Sequence, residues 1–180
     1  MRRKLSMLLA GVLLVAGAAG AAVSTASDEN IAKKLAREIR MYPRYTIWDN
    51  VNFRVNEGQV ELLGQVSQPF KKKDLERIAQ RVPGVEGVTN QLKVLPTSFH
   101  DDELRIRVAR AIYRDSVLSR YAIQPVPPIH IIVENGRVTL EGVVNNEMEK
   151  NVAGIRASTA GLSFGPVVNN LRVENPSRRG

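Results

Sequence analysis

The sequence contains no cysteine. That excludes disulfides, thiolate metal sites, cysteine nucleophiles and lipoprotein processing. Only two histidines are present. Neither His100 nor His130 belongs to a His-x-x-x-His or Glu-x-x-His pattern, so no metal site is expected. His130 alternates with Ile129 and Ile131 and should point away from their face. There is no Gly-x-Ser-x-Gly, no phosphate-binding glycine loop with lysine and no carboxylate pair at a catalytic spacing. These gaps point to a protein that is not an enzyme and has no catalytic residues and no cofactor. Gly84-Val85-Glu86-Gly87 has the Gly-x-x-Gly form of a nucleic-acid backbone clamp. It contains an acid and lies between a helix and a strand, so no nucleic-acid partner is expected.

Apolar content of 43% and charged content of 24% describe an ordinary folding chain, not a multi-pass membrane protein. The net charge is +8, but three basic residues lie within Met1 to Lys4. The remaining 23 basic and 18 acidic residues leave +5, a moderate excess that suits an anionic surface. The N-terminus reads as a signal peptide over 1–21, with a basic start, an apolar stretch from Leu5 to Ala16 and a small-x-small site at Ala19-Gly20-Ala21. Ser24-Thr25-Ala26 offers a second cleavage site. The alternative is an uncleaved anchor, because Leu5 to Ala26 is uncharged and long enough to span a bilayer. Cleavage predicts an exported, periplasmic protein, possible contact with the inner or outer membrane included.

The rest of the chain is an internal repeat. Val55 to Gly64 matches Val133 to Gly142 without a gap at an offset of 78, and Val88 to Val94 matches Val167 to Val173 at 79. Leu35 and Ile39 match Val108 and Ile112 at 73, so the second copy carries about five extra residues around Gln124 to Pro128. Each copy opens with acids, Asp28-Glu29 or Asp101-Asp102-Glu103, suited to a helix start. Helical stripes follow: Ile31, Leu35 and Ile39, then Leu104, Val108, Ala111 and Ile112. Alternating apolar residues next predict a hairpin turned at Gly58 or Gly136 and bounded by Gly64 or Gly142. Ser67 and Asn145 are the expected caps of a second helix. That helix should be shorter or frayed in the second copy because of Gly154 and Gly161. The expected fold is α+β: two tandem αββαβ domains, each a three-stranded sheet with two helices on one face. Their expected limits are 28–95 and 101–175, with a linker at 96–100 and a basic tail at 176–180.

Several motifs carry the resemblance: the acidic helix starts, the Val-x-x-Gly-x-Val-x-Leu-x-Gly cores at Val55–Gly64 and Val133–Gly142, and the closing Gly84-Val85-Glu86-Gly87-Val88-Thr89-Asn90-Gln91-Leu92-Lys93-Val94. In these the chain resembles the BON domain family of bacterial periplasmic and outer-membrane-associated proteins. The second copy departs at Phe164-Gly165-Pro166-Val167 but keeps Asn169, Leu171 and Val173. The resemblance implies a non-enzymatic module that associates with phospholipid membranes and supports the envelope under osmotic stress, as in osmotically inducible periplasmic members.

Lys71-Lys72-Lys73 reads first as a solvated face and second as an anion site, and Pro125-Val126-Pro127-Pro128 as a rigid loop edge. The first helix of the second copy is more informative. Arg107, Arg110 and Arg114 form one stripe, and Ile106, Ala109 and Tyr113 occupy the outer face, where the first copy has Lys33, Ala36 and Arg40. Two readings fit. Ile106 and Tyr113 enter a headgroup boundary while the arginines meet anionic phospholipid, or the same face packs on the other domain, a second chain or another envelope protein. The oligomeric state is left open.

Overall fold

The computed structural model describes residues 19–161 and 163–174. Most of the expected leader (1–18) and the basic tail (176–180) lie outside the described residues. The order is α1 (Ala19–Met41), β1 (Asn50–Asn56), β2 (Gln59–Val66), α2 (Pro69–Gln80), β3 (Gly87–Asn90) and β4 (Lys93–Val94). A second round follows, with α3 (Phe99–Tyr113), β5 (Ile129–Glu134), β6 (Arg137–Val144), α4 (Glu147–Thr159), β7 (Val168–Asn169) and β8 (Arg172–Val173).

The two rounds are the repeated αββαβ unit. In each, an antiparallel hairpin (β1–β2, β5–β6) is extended by a parallel last strand on β2 or β6. That strand is interrupted, its second half (β4 or β8) pairing further along the same neighbour. The break is a side-chain turn: Asn90 Oδ1 accepts from the Leu92 amide at 3.1 Å, and Asn169 Oδ1 from Leu171 at 3.3 Å.

Helical spacing buries Ile31, Leu35 and Ile39 against Val60, Leu62, Val66, Leu75 and Leu92 in one cluster, so both helices cover one face of the sheet. Leu104, Val108, Ile112, Leu140, Ala153 and Leu171 do the same in the second unit. Complete burial of a Leu or Ile side chain contributes about 1.5–3 kcal/mol, and these clusters account for most of the stability.

Each hairpin turn has positive φ at both central residues: Glu57 and Gly58, then Asn135 and Gly136. This is the geometry whose twist matches the strands. The acids do more than meet a helix dipole, and in the first unit they do not stand at a helix start at all: α1 begins at Ala19, so Asp28 lies inside it, whereas Asp101 is in the first turn of α3. Asp28 accepts from the Glu57 and Gly58 amides at 2.7 and 2.9 Å, and Asp101 from Asn135 and Gly136 at 2.9 and 2.7 Å. A carboxylate thus ties the first helix to the turn, twice. At Gly64 and Gly142 a Cβ would lie 2.1 and 1.9 Å from the carbonyl oxygens of Asn50 and Pro128, so only glycine fits.

Local expectations fail at helix ends. The N-cap positions of the second helices are Gln68 and Asn146, one residue later than expected, and the Gln68 side chain makes no capping bond. Ser67 is diverted to Asp49, whereas Asn146 accepts from Glu149 at 2.9 Å. α3 starts at Phe99, capped by Ser98, so the expected linker 96–100 overlaps its first turn. α4 is not short: it has 13 residues against 12 in α2. Gly154 lies where a Cβ would meet Asn169 Nδ2 at 2.8 Å, so the glycine admits the last strand close to the helix.

Candidate functional site

The segment between α1 and β1 connects the two units. Asp49 is completely buried and gathers five hydrogen bonds. Oδ1 takes the Ser67 amide and hydroxyl at 2.7 and 2.9 Å. Oδ2 takes the Thr46 amide at 2.9 Å, the Thr46 hydroxyl at 2.8 Å and Lys71 Nζ at 2.6 Å. Burial alone would raise its pKa; the Lys71 ammonium, the Ser67 amide and Thr46 outweigh it and hold the carboxyl below its ordinary value. Lys71 is 5% exposed and so belongs to this ion pair rather than to a solvated lysine face.

The segment shaped by this pair reaches into the second unit. Ile47 and Trp48 pack on its core, and the Ile47 carbonyl accepts from the Ile131 amide at 2.7 Å, on the outer edge of β5. The Tyr45 ring lies 5.4 Å from that of His130. Lys93 and Glu134 add an ion pair at 2.5 Å. His130 does point away from the core face, as its alternation predicts, but it is covered by the first unit. Burial holds its imidazole below the ordinary value, against the opposing pull of the Asp49 and Thr46 backbone and the Asp49 and Glu141 carboxylates.

The second unit has its own lock at the position matching Lys71. Glu149, 2% exposed, accepts from the Tyr121 hydroxyl at 2.5 Å and the Asn145 amide at 3.0 Å, and pairs with Arg120. His100 stacks on Phe164 with ring centres 4.8 Å apart. The two histidines are therefore engaged in separate places. Among the described residues no three His, Cys, Asp or Glu side chains are grouped as metal ligands.

On α3 the structure brings together only part of the expected face. Arg107, Arg110 and Arg114 are exposed along one stripe, and Arg107 pairs with Glu103. Ile106 is 46% exposed. Tyr113 is separate from them: its ring packs against the core, and its hydroxyl donates to the Ile129 carbonyl at 2.5 Å. Burial raises its pKa. Ile106 also lines a cleft with Trp48, Pro96 and Thr97, at the junction of the units.

Two features were missed from the sequence. Arg105 is buried, pairs with Asp102 and donates to the Val133 carbonyl at 2.7 Å. On α4, Met148 and Ile155 are 59% and 61% exposed, with Val152 between them at helical spacing. That i, i+4, i+7 pattern was visible in the sequence. The matching positions of the first unit, Phe70, Asp74 and Arg77, form no apolar stripe: Phe70 is 42% exposed beneath Arg44 at 5.0 Å, and Asp74 accepts from the Tyr42 hydroxyl at 2.6 Å.

Two αββαβ units joined by a short connection, with buried ion pairs used for structure, define a tandem repeat of α+β type. The BON domain family model matches residues 27–96 and 100–175, and the chain belongs to that family. BON domains are generally non-catalytic and are often linked to phospholipid or membrane binding. A search of curated protein sequences finds no significant match. Two solved structures are similar in part. One is from studies of CdsD, a structural protein of the type III secretion system of Chlamydia trachomatis, at 16% identity and TM-score 0.32 over 81% of this chain and 61% of that one. The other is the C-terminal domain of CdsD, at 15% identity and TM-score 0.32 over 79% and 63%. This chain spans less than two thirds of either.

Proposed function

We propose that the protein is an exported envelope protein that associates peripherally with anionic phospholipid through its second unit and supports envelope integrity under osmotic stress. The observation that carries this reading is the outer surface of the two helices of that unit. α3 presents Arg107, Arg110 and Arg114 beside Ile106, while α4 presents Met148 and Ile155. Each basic residue near an anionic surface contributes about 1 kcal/mol, so binding is weak and reversible. Among the described residues no helix is long and apolar enough to cross a membrane. Tyr113 serves the fold in this reading, not the interface. The second reading, docking of other envelope proteins, draws on the place of Ile106 in the cleft between the units.

The test is co-sedimentation with vesicles of phosphatidylglycerol and phosphatidylcholine. Changing Arg107, Arg110 and Arg114 to Glu should abolish binding at low salt. Changing Met148 and Ile155 to Ser should weaken it at every salt concentration, because apolar burial is not screened. Equal loss from changing Lys33, Arg37 and Arg40 to Glu would reduce the effect to net charge and overturn the assignment of a face.

A further inference from the structure

The seam between the units holds one side chain that changes charge near neutral pH. The residues of β5 that face away from its own core are His130, Ile132 and Glu134. Tyr45 lies beside His130, Lys93 pairs with Glu134, and Ile132 between them is 5% exposed. Their counterparts on β1, at the common offset of 78, are Asn52, Arg54 and Asn56, and all three are exposed. A histidine thus stands on the covered strand where the open one has an asparagine.

His130 is 9% exposed, and its Nδ1 is buried with no hydrogen-bond partner. A neutral ring tolerates this, because an idle acceptor costs little. Protonation puts a donor on both nitrogens, and the one at Nδ1 has no acceptor to reach. The ionisable groups around the ring are Tyr45 and Asp49 in the segment before β1, Lys71 locked to Asp49, Glu141 opposite it on β6, and the Lys93–Glu134 pair at the rim. Neither nearby carboxylate is idle: Asp49 is neutralised by Lys71, and Glu141 accepts from Asn170 Nδ2 at 2.8 Å. The seam is also thin. Each unit closes a core of its own, whereas the seam rests on the Ile47–Ile131 bond, the Lys93–Glu134 pair and the packing of Ile47 and Trp48. It is the part that yields first.

We infer that protonation of His130 opens this seam: the two units part while each stays folded, baring Ile47, Trp48 and the outer edge of β5. The direction follows from linkage. In the closed form burial holds the imidazole below its ordinary value, and in the open form it returns to about 6.5, so acid favours the open form and neutral pH the closed one. The device is independent of the lipid reading, and its test contains no vesicles.

The purified protein is titrated from about pH 8 to about pH 5, the range in which histidine changes charge. Trp48 emission should shift to the red and the radius of gyration from small-angle scattering should rise together, with a midpoint below about 6.5 and a slope of about one proton, while far-ultraviolet circular dichroism stays level. His130→Asn, which installs the first unit's residue, and His130→Phe, which keeps a ring in place, should remove the pH dependence. A tether supplies a check that leaves the histidine intact. Because the sequence has no cysteine, Lys93→Cys with Glu134→Cys introduces the only thiols, and a short bis-maleimide joining them should suppress the acid shift in emission. Three results would each overturn the inference. They are an emission and a radius that stay constant until the circular dichroism itself falls, an acid transition that survives in both His130 variants, or one that survives the tether.

Discussion

Replacing Lys71 with Met should destabilise the protein by about 3 kcal/mol, the low end of what removing one partner of a buried ion pair costs. The low end applies because Asp49 keeps four donors from Ser67 and Thr46 after the ammonium is gone. With a urea slope near 2 kcal/mol/M, the midpoint should fall by about 1.5 M. The single tryptophan makes the assay specific: Trp48 adjoins Asp49 and lies on the second unit's core, so its emission should shift to the red as the loop loosens. Acid sensitivity should change as well. The depressed pKa of Asp49 contributes stability that is present above the ordinary carboxylate range and lost as pH falls through the folded value. Without Lys71 that loss should begin at higher pH. Adding Asp49→Asn to the variant should restore at least half of the loss by removing the stranded charge. A cost below about 0.5 kcal/mol for Lys71→Met would mean that Lys71 is solvated and that the buried pair does not exist in solution. A double variant no better than the single one would assign the loss to packing instead of charge.

Three further outcomes follow from the same geometry. Asp101 is 1% exposed and holds two turn amides, so Asp101→Ala should cost about 2–4 kcal/mol, with faster hydrogen exchange at Asn135 and Gly136; Asp28→Ala, at the more exposed turn, should cost less. Glu57 has φ 50, a region that asparagine tolerates better, so Glu57→Asn should raise stability by about 0.5–1 kcal/mol, read as a higher thermal midpoint. His130 is held below its ordinary value, so unfolded chains take up a proton that folded ones refuse. Stability should fall as pH drops below about 6.5 toward the folded value, and His130→Phe should flatten that slope in urea titrations.

The repeat was legible because it is written in short-range signals. Alternation places Val60 and Leu62 inward, the Asn135-Gly136 pair marks a turn, and helical spacing selects Ile31, Leu35 and Ile39. Lys71 was misread because a run of three lysines looks uniform, and only the distant Asp49 distinguishes the first from the others. Tyr113 was placed on the outer face by helical angle, but a long side chain can lean back, and its hydroxyl finds the Ile129 carbonyl. The length of α4 was underestimated because glycine propensity ignores what a missing Cβ admits, here Asn169. The junction between the units left no periodic trace. Tyr45 to Trp48 lie in an irregular segment, and their partners on β5 are more than eighty residues away, so only the folded chain shows the match.

Lys71 and Glu149 occupy the same place in the two copies, 78 residues apart, with opposite charge. Tandem repeats risk exchanging elements while they fold, since each half offers the other a similar helix and a similar groove. Here the charges penalise the exchange. If α4 settled in the first unit, Glu149 would face Asp49 in a place that excludes water, two carboxylates with no cation between them. If α2 settled in the second, Lys71 would meet Arg120. The inverted charge therefore penalises each helix in the other's half and favours its own, so two domains of one architecture on one polypeptide differ in charge at the place where their helices dock.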